Sequence, residues 1–496
     1  MFRRVICVLI IIIVFVSVNG LEFIILHTND HHGNLLSYRI GEYEVAGLAE
    51  RAYIIRRLIE NNENYLLLDA GDINTGRFES MFFDAEPDIV AYNLIGYDAV
   101  TLGNHEFYGG LGRLFEQMRW AYFPFLSANV FISEHELLTD AYIVKELPNG
   151  LKVAVFGLTT PTLLSSQLQF SEQIIVRDYV EIANELVPQL RAKADVVIAL
   201  THLGIFEHCE EFSFGSVRLA REVKGIDLII DGHSHTVLER PLYINGTPIV
   251  QAGERGRQLG KAIISHDKET DEFRLTKWTN ISLMRALEDP AFRVDTAVFD
   301  VVQVFREKIP ATYRQIIGFS NIHYCDTNIR NTITPLGQLI ADTMMHAFNT
   351  TDEEQLLHSG ADLAFTNGGG IRASLSQGEI RYFDLREILP FENNVVLVEI
   401  SGETLLEIIN FSMETMINRG GFLQFSSNVR LFQSDDGWHA LIDGEALRAN
   451  EVYRVATNSY LASGGDSYAQ FFSETIPLKI GVVEIIALRE YIQARF

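Results

Sequence analysis

"EFIILHTNDHHG", residues 22–33, joins a short apolar run to a polar cluster that begins where the run ends. The same pairing recurs in "YLLLDA" before "GDINTG", "DAVTL" before "GNHEF", "DVVIAL" before "THLG" and "IDLII" before "DGHSH". Short apolar runs bounded by glycine and polar residues are typical of buried strands. Helical patterns such as "AGLAERAYIIRRLIENN" lie between them. The alternation predicts a layered α/β architecture, in which ligands collect at the carboxyl ends of the strands.

The length of 496 residues predicts two domains, because a single hydrophobic core rarely grows beyond about 250–300 residues. In residues 289–314, apolar side chains recur at helical spacing until Pro310 ends the pattern. Strand and glycine-loop signals dominate the second half, after a predicted helix in "NTITPLGQLIADTMMHAFN". We therefore expect an N-terminal layered α/β domain over 21–288, an interdomain helix or linker over 289–318, and a C-terminal α/β domain over 319–496.

The first twenty residues differ from the rest of the chain. Arg3 and Arg4 precede an apolar run from Val5 to Val18, and "NG" follows. This order predicts a secretory signal peptide over residues 1–20 and a secreted or periplasmic protein. The alternative, an uncleaved membrane anchor, needs roughly 20 apolar residues, and this run is shorter. The C-terminal "IIALREYIQARF" carries no apolar tail, so we expect no stable membrane anchor.

The formal net charge is −25. Such a charge repels nucleic-acid backbones and anionic membranes, so a nucleic-acid partner is not expected. An anionic substrate would need local positive charge from metal ions or arginines. If Cys7 leaves with the signal, Cys209 and Cys325 remain, and two free thiols are favoured over one disulfide. No feature of the sequence sets the oligomeric state.

The five polar clusters contain carboxylates, imidazoles and one amide in positions suited to metal binding. The seven candidates are Asp30, His32, Asp72, Asn104, His202, His233 and His235. A single histidine in a turn is usually a solvated or core residue, but seven of the chain's 14 histidines lie in these clusters. The mixed ligand set suits zinc or manganese better than calcium, which prefers oxygen alone. Two such ions about 4 Å apart can hold a phosphate and activate a water.

These motifs, with "NGGGIR", "ILPF" and "NSYLASGGD" in the second half, resemble the 5′-nucleotidase family of calcineurin-like metallophosphoesterases. The resemblance covers essentially the whole mature chain, and it implies a metallophosphoesterase domain followed by a substrate-binding domain. It also implies two divalent ions bridged by Asp72. One ion would be held by Asp30, His32, Asp72 and His235, and the other by Asp72, Asn104, His202 and His233. Thr28, Asn29 and His31 would support the first loop.

The resemblance also implies a nucleotide clamp in the second half. Arg330, Asn367 and Arg372 would bind the substrate, and arginine suits phosphate because its planar fork donates two parallel bonds. Phe391 and Tyr460 would sandwich a nucleobase, with tyrosine in place of the family's usual phenylalanine at the second position. Asp466 would accept hydrogen bonds from the ribose or base, and Ser467 replaces a glycine that is common after it.

The expected reaction is hydrolysis of nucleoside 5′-monophosphates, with His105 stabilising the developing charge or assisting the leaving group. In the family an aspartate three residues later orients this histidine, and here Tyr108 stands in that position. We therefore count Tyr108 as a candidate catalytic residue, with Glu106 or another acid as a substitute for the missing carboxylate.

The substitution at 108 leaves other activities open. A 2′,3′-cyclic-nucleotide phosphodiesterase of the same family also lacks the aspartate, and "YGGL" at 108–111 partly resembles its loop. Hydrolysis of nucleotide sugars, of nucleoside di- or triphosphates or of polyphosphate is a further alternative. A nucleotide-binding protein without turnover is the alternative from another functional class, although the complete set of metal ligands argues against it.

Overall fold

The computed structural model describes residues 20–40, 42–163, 173–205, 215–349, 360–434, 437–472 and 477–496. The predicted signal peptide and Cys209 lie outside these ranges, apart from Gly20. Each of the five apolar runs forms a strand: Leu21–Thr28, Tyr65–Asp69, Ala99–Thr101, Val196–His202 and Leu228–Asp231. Among the described residues, no helix is long and apolar enough to cross a membrane. Cys325 is an exposed free thiol.

Two sheets, each with six strands among the described residues, form the N-terminal half. The first has the order Glu272–Ser282, Gln258–Asp267, Leu21–Thr28, Tyr65–Asp69, Ala99–Thr101, Phe125–Leu126. The second has the order Leu242–Ile244, Thr247–Val250, Leu228–Asp231, Val196–His202, Lys152–Thr159, Tyr142–Glu146. The motif-bearing neighbours in each sheet are parallel, so their carboxyl ends point the same way.

The alternation of side chains along the first strand shows how the layers stack. Phe23 and Ile25 are fully buried in a core between the two sheets, and Ile24 and Leu26 face the opposite core. That opposite core is covered by the helices Leu48–Ile59, Glu86–Ile95 and Gly110–Trp120. The helices Tyr179–Arg191 and Ser216–Glu222 cover the outer face of the second sheet. The result is a helix–sheet–sheet–helix domain, as layered α/β patterning predicts.

The segment between the halves forms the helix Thr296–Lys308 and the 3₁₀ turn Ala311–Arg314. The Asp295 carboxylate caps the helix by accepting a hydrogen bond from the Val298 amide at 3.1 Å. Val298 and Val302 are buried in the core that covers the first sheet. The helix therefore packs onto the N-terminal half and does not stand free between the two halves.

The C-terminal half is built on a five-stranded sheet of described residues, in the order Leu423–Phe425, Leu363–Asn367, Val452–Asn458, Asn394–Ser401, Lys479–Val483. One face is covered by the helices Pro335–Asn349, Tyr382–Ile388 and Glu484–Arg495. The other is covered by the helix Gly402–Thr415 and a small sheet of Val429–Ser434, Gly437–Ile442 and Glu445–Ala446. The predicted two-part α/β architecture is confirmed.

The remaining described elements are short. The helices are Phe78–Phe82, Ser459–Ala462 and Ala469–Phe472, with 3₁₀ turns at His105–Phe107, Gly368–Gly370 and Gly465–Ser467. One small sheet contains Ile175–Val176, Val130–Ser133 and Glu136–Leu137, and a second contains Met284–Ala286, Tyr43–Val45 and Tyr38–Ile40. In a third, Ile316–Ser320 pairs with Gly378–Arg381.

Candidate active site

The ends of the motif-bearing strands bring all seven metal-ligand candidates to one edge of the N-terminal domain. Asp30, Asp72 and Asn104 follow strands of the first sheet, and His202, His233 and His235 lie at or after strand ends of the second. His32 completes the set in the first loop. The potential ligand atoms form three groups, and the atoms within each group lie within 4.8 Å of one another. The groups are Asp30–His32–His235, His32–Asp72–His105 and Asp72–His202–His233.

The backbone of these loops adopts the left-handed conformation, which residues other than glycine rarely adopt. Five of the seven candidates have positive φ: Asp30 at 52°, His32 at 49°, Asp72 at 57°, His233 at 74° and His235 at 56°. Left-handed non-glycine residues cost about 1–3 kcal/mol each and persist where surrounding contacts fix them. Here the Asp30 carbonyl accepts from the Arg255 amide at 2.7 Å, and the His32 amide donates to the Asp72 carbonyl at 3.0 Å. The clustering of this strain marks the edge as functional.

The side-chain ligand atoms of the group Asp30–His32–His235 lie close together. The Nε2 atoms of His32 and His235 are 3.1 Å apart, and His235 Nε2 lies 3.3 Å from Asp30 Oδ1. All three residues are donors of the type that bind zinc or manganese.

The group Asp72–His202–His233 lies beside the first group, and its Asp72 carboxylate also approaches His32 of the first group. Asp72 Oδ2 is 3.1 Å from His202 Nε2 and 4.0 Å from His32 Nε2. Burial alone would raise the pKa of Asp72, but the neighbouring imidazoles, His202 foremost, hold it well below its usual value. The carboxylate is therefore placed between the two groups, as a bridging ligand must be.

Two orphaned atoms show that the residues fit divalent ions. Asn104 Oδ1 and His202 Nε2 are buried without a hydrogen-bond partner, although His202 Nε2 lies close to Asp72. A buried polar atom without a partner costs about 1–3 kcal/mol, and coordination to an ion would remove that cost. Burial also lowers the pKa of His32 well below its usual value and that of His233 to about 3. Neutral imidazoles are the form in which histidine binds metals.

In three of the four candidate histidines, the outer nitrogen has a partner that fixes the ring. His32 Nδ1 lies 3.1 Å from the Asn74 carbonyl, and His202 Nδ1 lies 2.7 Å from the Ala70 carbonyl. His235 Nδ1 lies 2.8 Å from Glu254 Oε2. In each of these three rings the Nδ1–H donates outward, so Nε2 is the atom that can coordinate an ion. Against the effect of burial, Asp72 raises the pKa of His202 to about 10 and Glu254 raises that of His235, so an ion would displace a proton from these two rings.

The residues that flank the ligands in the first loop tie it to the domain. Asn29 Nδ2 donates to the Gly253 carbonyl at 2.5 Å and to Asp30 Oδ2 at 2.7 Å. His31 Nε2 contacts Asp88 Oδ1 at 3.0 Å, and Thr28 Oγ1 donates to Asp69 Oδ2 at 2.5 Å. These contacts agree with the supporting role expected for Thr28, Asn29 and His31.

The structure gives Glu106 a different place from the one considered for it. Its carboxylate accepts hydrogen bonds from the backbone amides of Ile73 at 2.7 Å, Gly103 at 2.7 Å and Asp72 at 3.0 Å. These bonds pin the Asp72 loop to the Asn104 loop. Because the carboxylate is committed to these amides, Glu106 does not replace the missing acid beside His105. That suggestion was wrong.

His105 is held by a hydroxyl and an aromatic ring. Thr75 Oγ1 lies 2.7 Å from His105 Nδ1. The Tyr108 ring stacks on the imidazole with centroids 5.3 Å apart, and it stacks on Phe391 at 5.0 Å. Burial lowers the pKa of His105 to about 3 and raises the pKa of Tyr108 above its usual value. Tyr108 thus contacts the histidine through its ring and joins it to the C-terminal half.

A cavity of about 240 Å³ holds both halves of the predicted site. On the N-terminal side it is lined by Asp72, Asn104, His105, Tyr108, His233 and His235. On the C-terminal side it is lined by every predicted substrate-binding residue of that half: Arg330, Asn367, Arg372, Phe391, Tyr460 and Asp466. How the halves face each other could not be read from local sequence patterns.

Two arginines in this cavity lack a direct side-chain partner among the described residues. The guanidinium groups of Arg330 and Arg372 form no hydrogen bond or ion pair with any residue that the structure describes. Burial, together with the charges of Arg330 and Arg255, lowers the pKa of Arg372 to about 10. Two cations without a carboxylate in contact, Arg372 buried and Arg330 partly buried, create a site for an anion.

A hydrogen-bonded chain shapes the far end of the cavity. Asp466 accepts from Asn367 Nδ2 at 2.8 Å and from the Tyr460 hydroxyl at 3.0 Å. Ser467 has φ of 68°, a conformation that glycine adopts freely, which fits the glycine that the resemblance leads us to expect at this position. The serine retains the turn at a conformational cost.

The two halves contact each other outside the cavity lining as well. Arg77 Nη1 pairs with Glu387 Oε2, and the Phe78 ring lies 6.2 Å from that of Phe383. Arg255 Nη2 donates to the Arg372 carbonyl at 2.6 Å. Since the Arg255 amide also bonds the Asp30 carbonyl, one residue connects a metal-ligand candidate to the anion site.

Comparison with known proteins agrees with this arrangement. A profile of calcineurin-like phosphoesterases matches residues 23–237, and one of the 5′-nucleotidase C-terminal domain matches residues 316–474. A 5′-nucleotidase of Vibrio vulnificus is 32% identical over 519 residues, covering 95% of this chain and 90% of the relative. Protein UshA of Escherichia coli K12 is 31% identical, with 95% and 90% covered. The crystal structure of a 5′-nucleotidase precursor from Thermus thermophilus superimposes with a TM-score of 0.79 at 26% identity, covering 96% of both chains.

Fold, buried His/Asp cluster and profile matches together define a metal-dependent phosphoesterase. More narrowly, the chain belongs to the 5′-nucleotidase family.

Proposed function

We propose that this enzyme hydrolyses nucleoside 5′-monophosphates to nucleosides and phosphate, using two zinc or manganese ions. The cavity that combines the His/Asp cluster with an anion site and two aromatic side chains is the observation that carries the proposal. It offers every part that such a substrate requires: ligands for ions, cations for a phosphate and flat rings for a base.

In the proposed reaction, Asp30, His32, Asp72 and His235 would hold one ion, and Asp72, Asn104, His202 and His233 would hold the other. Bound there, such ions would supply polarisation of the phosphate and a more acidic water as the nucleophile. Arg330 and Arg372 donate hydrogen bonds to phosphate oxygens. His105 faces the same cavity and stabilises charge that develops as the ester bond breaks.

The C-terminal half positions the rest of the nucleotide. Phe391 and Tyr460 stack on the base, and Asp466, fixed by Asn367 and Tyr460, accepts hydrogen bonds from the ribose or base. Stacking tolerates every base, so we expect several nucleotides to be substrates.

The proposal includes the domain limits 21–288, 289–318 and 319–496 and cleavage of a signal peptide at residues 1–20. A secreted or periplasmic protein would meet extracellular nucleotides, which fits a phosphatase of this kind. Mass spectrometry of the N-terminus after expression in a secreting host tests cleavage.

A substrate panel tests the function. Purified protein reconstituted with zinc or manganese is assayed for turnover of AMP, 2′,3′-cyclic AMP, UDP-glucose, ATP and polyphosphate. We expect the highest kcat/KM with AMP and loss of activity in Asp72→Asn. Faster cleavage of the cyclic nucleotide, the nucleotide sugar, ATP or polyphosphate would reassign the substrate within the family. Tight nucleotide binding without turnover of any compound would make the protein a binding protein.

A further inference from the structure

Thr75 occupies a position that the catalytic roles above do not explain. It follows the strand Tyr65–Asp69 in the "GDINTG" loop, three residues after Asp72. Its hydroxyl lies 2.7 Å from Nδ1 of His105, which comes from the next loop. The bond therefore links the loop of the bridging carboxylate to the histidine that faces the substrate cavity.

The other groups around His105 leave this nitrogen to Thr75. Tyr108 contacts the flat face of the imidazole, and the Glu106 carboxylate is bound to backbone amides. The His105 amide donates to Asp72 Oδ1 at 2.8 Å, which fixes the backbone but not the ring. Within the part of the chain that the structure describes, the Thr75 hydroxyl is the polar partner of Nδ1.

The hydroxyl can donate to Nδ1 or accept from it, and the proposal takes the arrangement in which it donates. The Thr75 side chain bonds no other described residue, so its proton is available to His105 Nδ1. A neutral imidazole that accepts at Nδ1 carries its proton on Nε2. His105 Nε2 faces Asp72 Oδ2 at 3.9 Å, on the side of the ligand cluster. The ring therefore presents an N–H donor to the place where the phosphate ester would bind.

We propose that Thr75 is a positioning residue that orients His105 and fixes its tautomer, so that Nε2–H donates a hydrogen bond to the ester oxygens. This inference rests on the proposed function, because it assumes that His105 contacts the substrate. The hydroxyl can orient the ring through this one hydrogen bond without adding a charge beside the ligand cluster. Thr75 thus replaces the orienting group that Tyr108 cannot supply, and it leaves the tyrosine ring available for stacking.

A double-mutant cycle tests the proposal. Thr75→Val removes the hydroxyl at nearly constant shape, and Thr75→Ser keeps it. We expect kcat for AMP to fall about tenfold in Thr75→Val, the loss of one hydrogen bond, with KM changed less than about twofold. Thr75→Ser should stay within about twofold of wild type. In a His105→Ala background, Thr75→Val should have no further effect, because the group it orients is gone.

Metal content and melting temperature of each variant serve as controls for the loop and the fold. If Thr75→Val lowers the rate equally with and without His105, the hydroxyl acts by some other route and the proposal is wrong. An unchanged rate in Thr75→Val, or a loss in Thr75→Ser as large as in Thr75→Val, would also overturn it. Wild-type turnover of AMP in the same assay tests the proposed function separately. If AMP is not cleaved, the cycle is measured with whichever phosphate ester the wild type hydrolyses.

Discussion

Replacement of Tyr108 tests whether an aromatic stack joins His105 to the proposed nucleotide clamp. The Tyr108 ring lies 5.3 Å from His105 and 5.0 Å from Phe391. An aromatic pair contributes about 0.5–1.5 kcal/mol beyond its buried area. The contact with Phe391 forms between the two halves of the chain. Tyr108→Ala therefore weakens the association of the halves at the cavity by about this free energy. We expect kcat/KM for AMP to fall about 2- to 12-fold, measured by phosphate release at equal metal content.

Two matched variants separate the ring from the other properties of this residue. The Tyr108 hydroxyl forms no hydrogen bond with any described residue, so Tyr108→Phe should keep kcat/KM within about twofold of wild type. Tyr108→Asp introduces the acid expected from the family, but His105 Nδ1 is already bonded to Thr75 and the stack is lost. We expect this variant to resemble Tyr108→Ala. A kcat for Tyr108→Asp above that of wild type, or an unaffected Tyr108→Ala, would refute the reasoning.

Three further predictions concern charge, pH and metal. Arg372→Gln removes a buried cation from the anion site, so KM for AMP should rise about tenfold or more. The control is Arg386→Gln, because the Arg386 guanidinium contacts Glu392. An unchanged KM in steady-state kinetics would contradict the phosphate-binding role. Burial raises the pKa of Glu484 to about 7, so the folded protein keeps this proton while the unfolded chain releases it, and stability falls as pH rises from the unfolded pKa to about 7. Glu484→Gln should therefore melt at a higher temperature than wild type at pH 8 but not at pH 4. At pH 8 its free energy of unfolding should exceed that of wild type by up to about 3 kcal/mol. Equal melting curves at pH 8 would disprove this. Dialysis against a chelator should abolish turnover and lower the melting temperature, because the strained ligand loops lose their ions, and zinc or manganese should restore both. Full activity in metal-free protein would exclude the proposed chemistry.

Much of the fold could be predicted because each apolar run predicts a buried strand and the polar cluster after it marks where that strand ends. "EFIIL", "YLLLD" and "DVVIAL" became parallel strands, and parallel strands place the residues after them at one edge. Asp30, Asp72 and His202 were found in this way, from local sequence alone. The linker helix was also visible from its spacing, but its burial against the first domain depends on tertiary packing.

The remaining features of the site depend on contacts between distant segments. The amides that Glu106 binds come from its own loop and from the loop of Asp72, so its role could not be read from its position beside His105. Thr75 is an ordinary turn residue in the sequence, and only the fold brings it to the histidine. The substitution at Tyr108 was visible as a departure from the family pattern. Its physical meaning, a ring between His105 and Phe391, required the structure.

The strain in the ligand loops could have been anticipated only in part. Glycines beside Asp72 and His233 signal tight turns, but the left-handed conformation of the ligands themselves leaves no mark in composition. Aspartate and histidine are among the non-glycine residues that tolerate this conformation best, which is consistent with their use here.

The central claim is that one cavity joins a two-metal centre to a nucleotide clamp and cleaves nucleoside 5′-monophosphates. The most direct test is a time course of AMP hydrolysis by the metal-loaded protein that measures adenosine and phosphate together. We predict that both products form in equal amounts, and that neither forms with Asp72→Asn. AMP that binds tightly but yields no phosphate, or activity that survives Asp72→Asn, would contradict the claim.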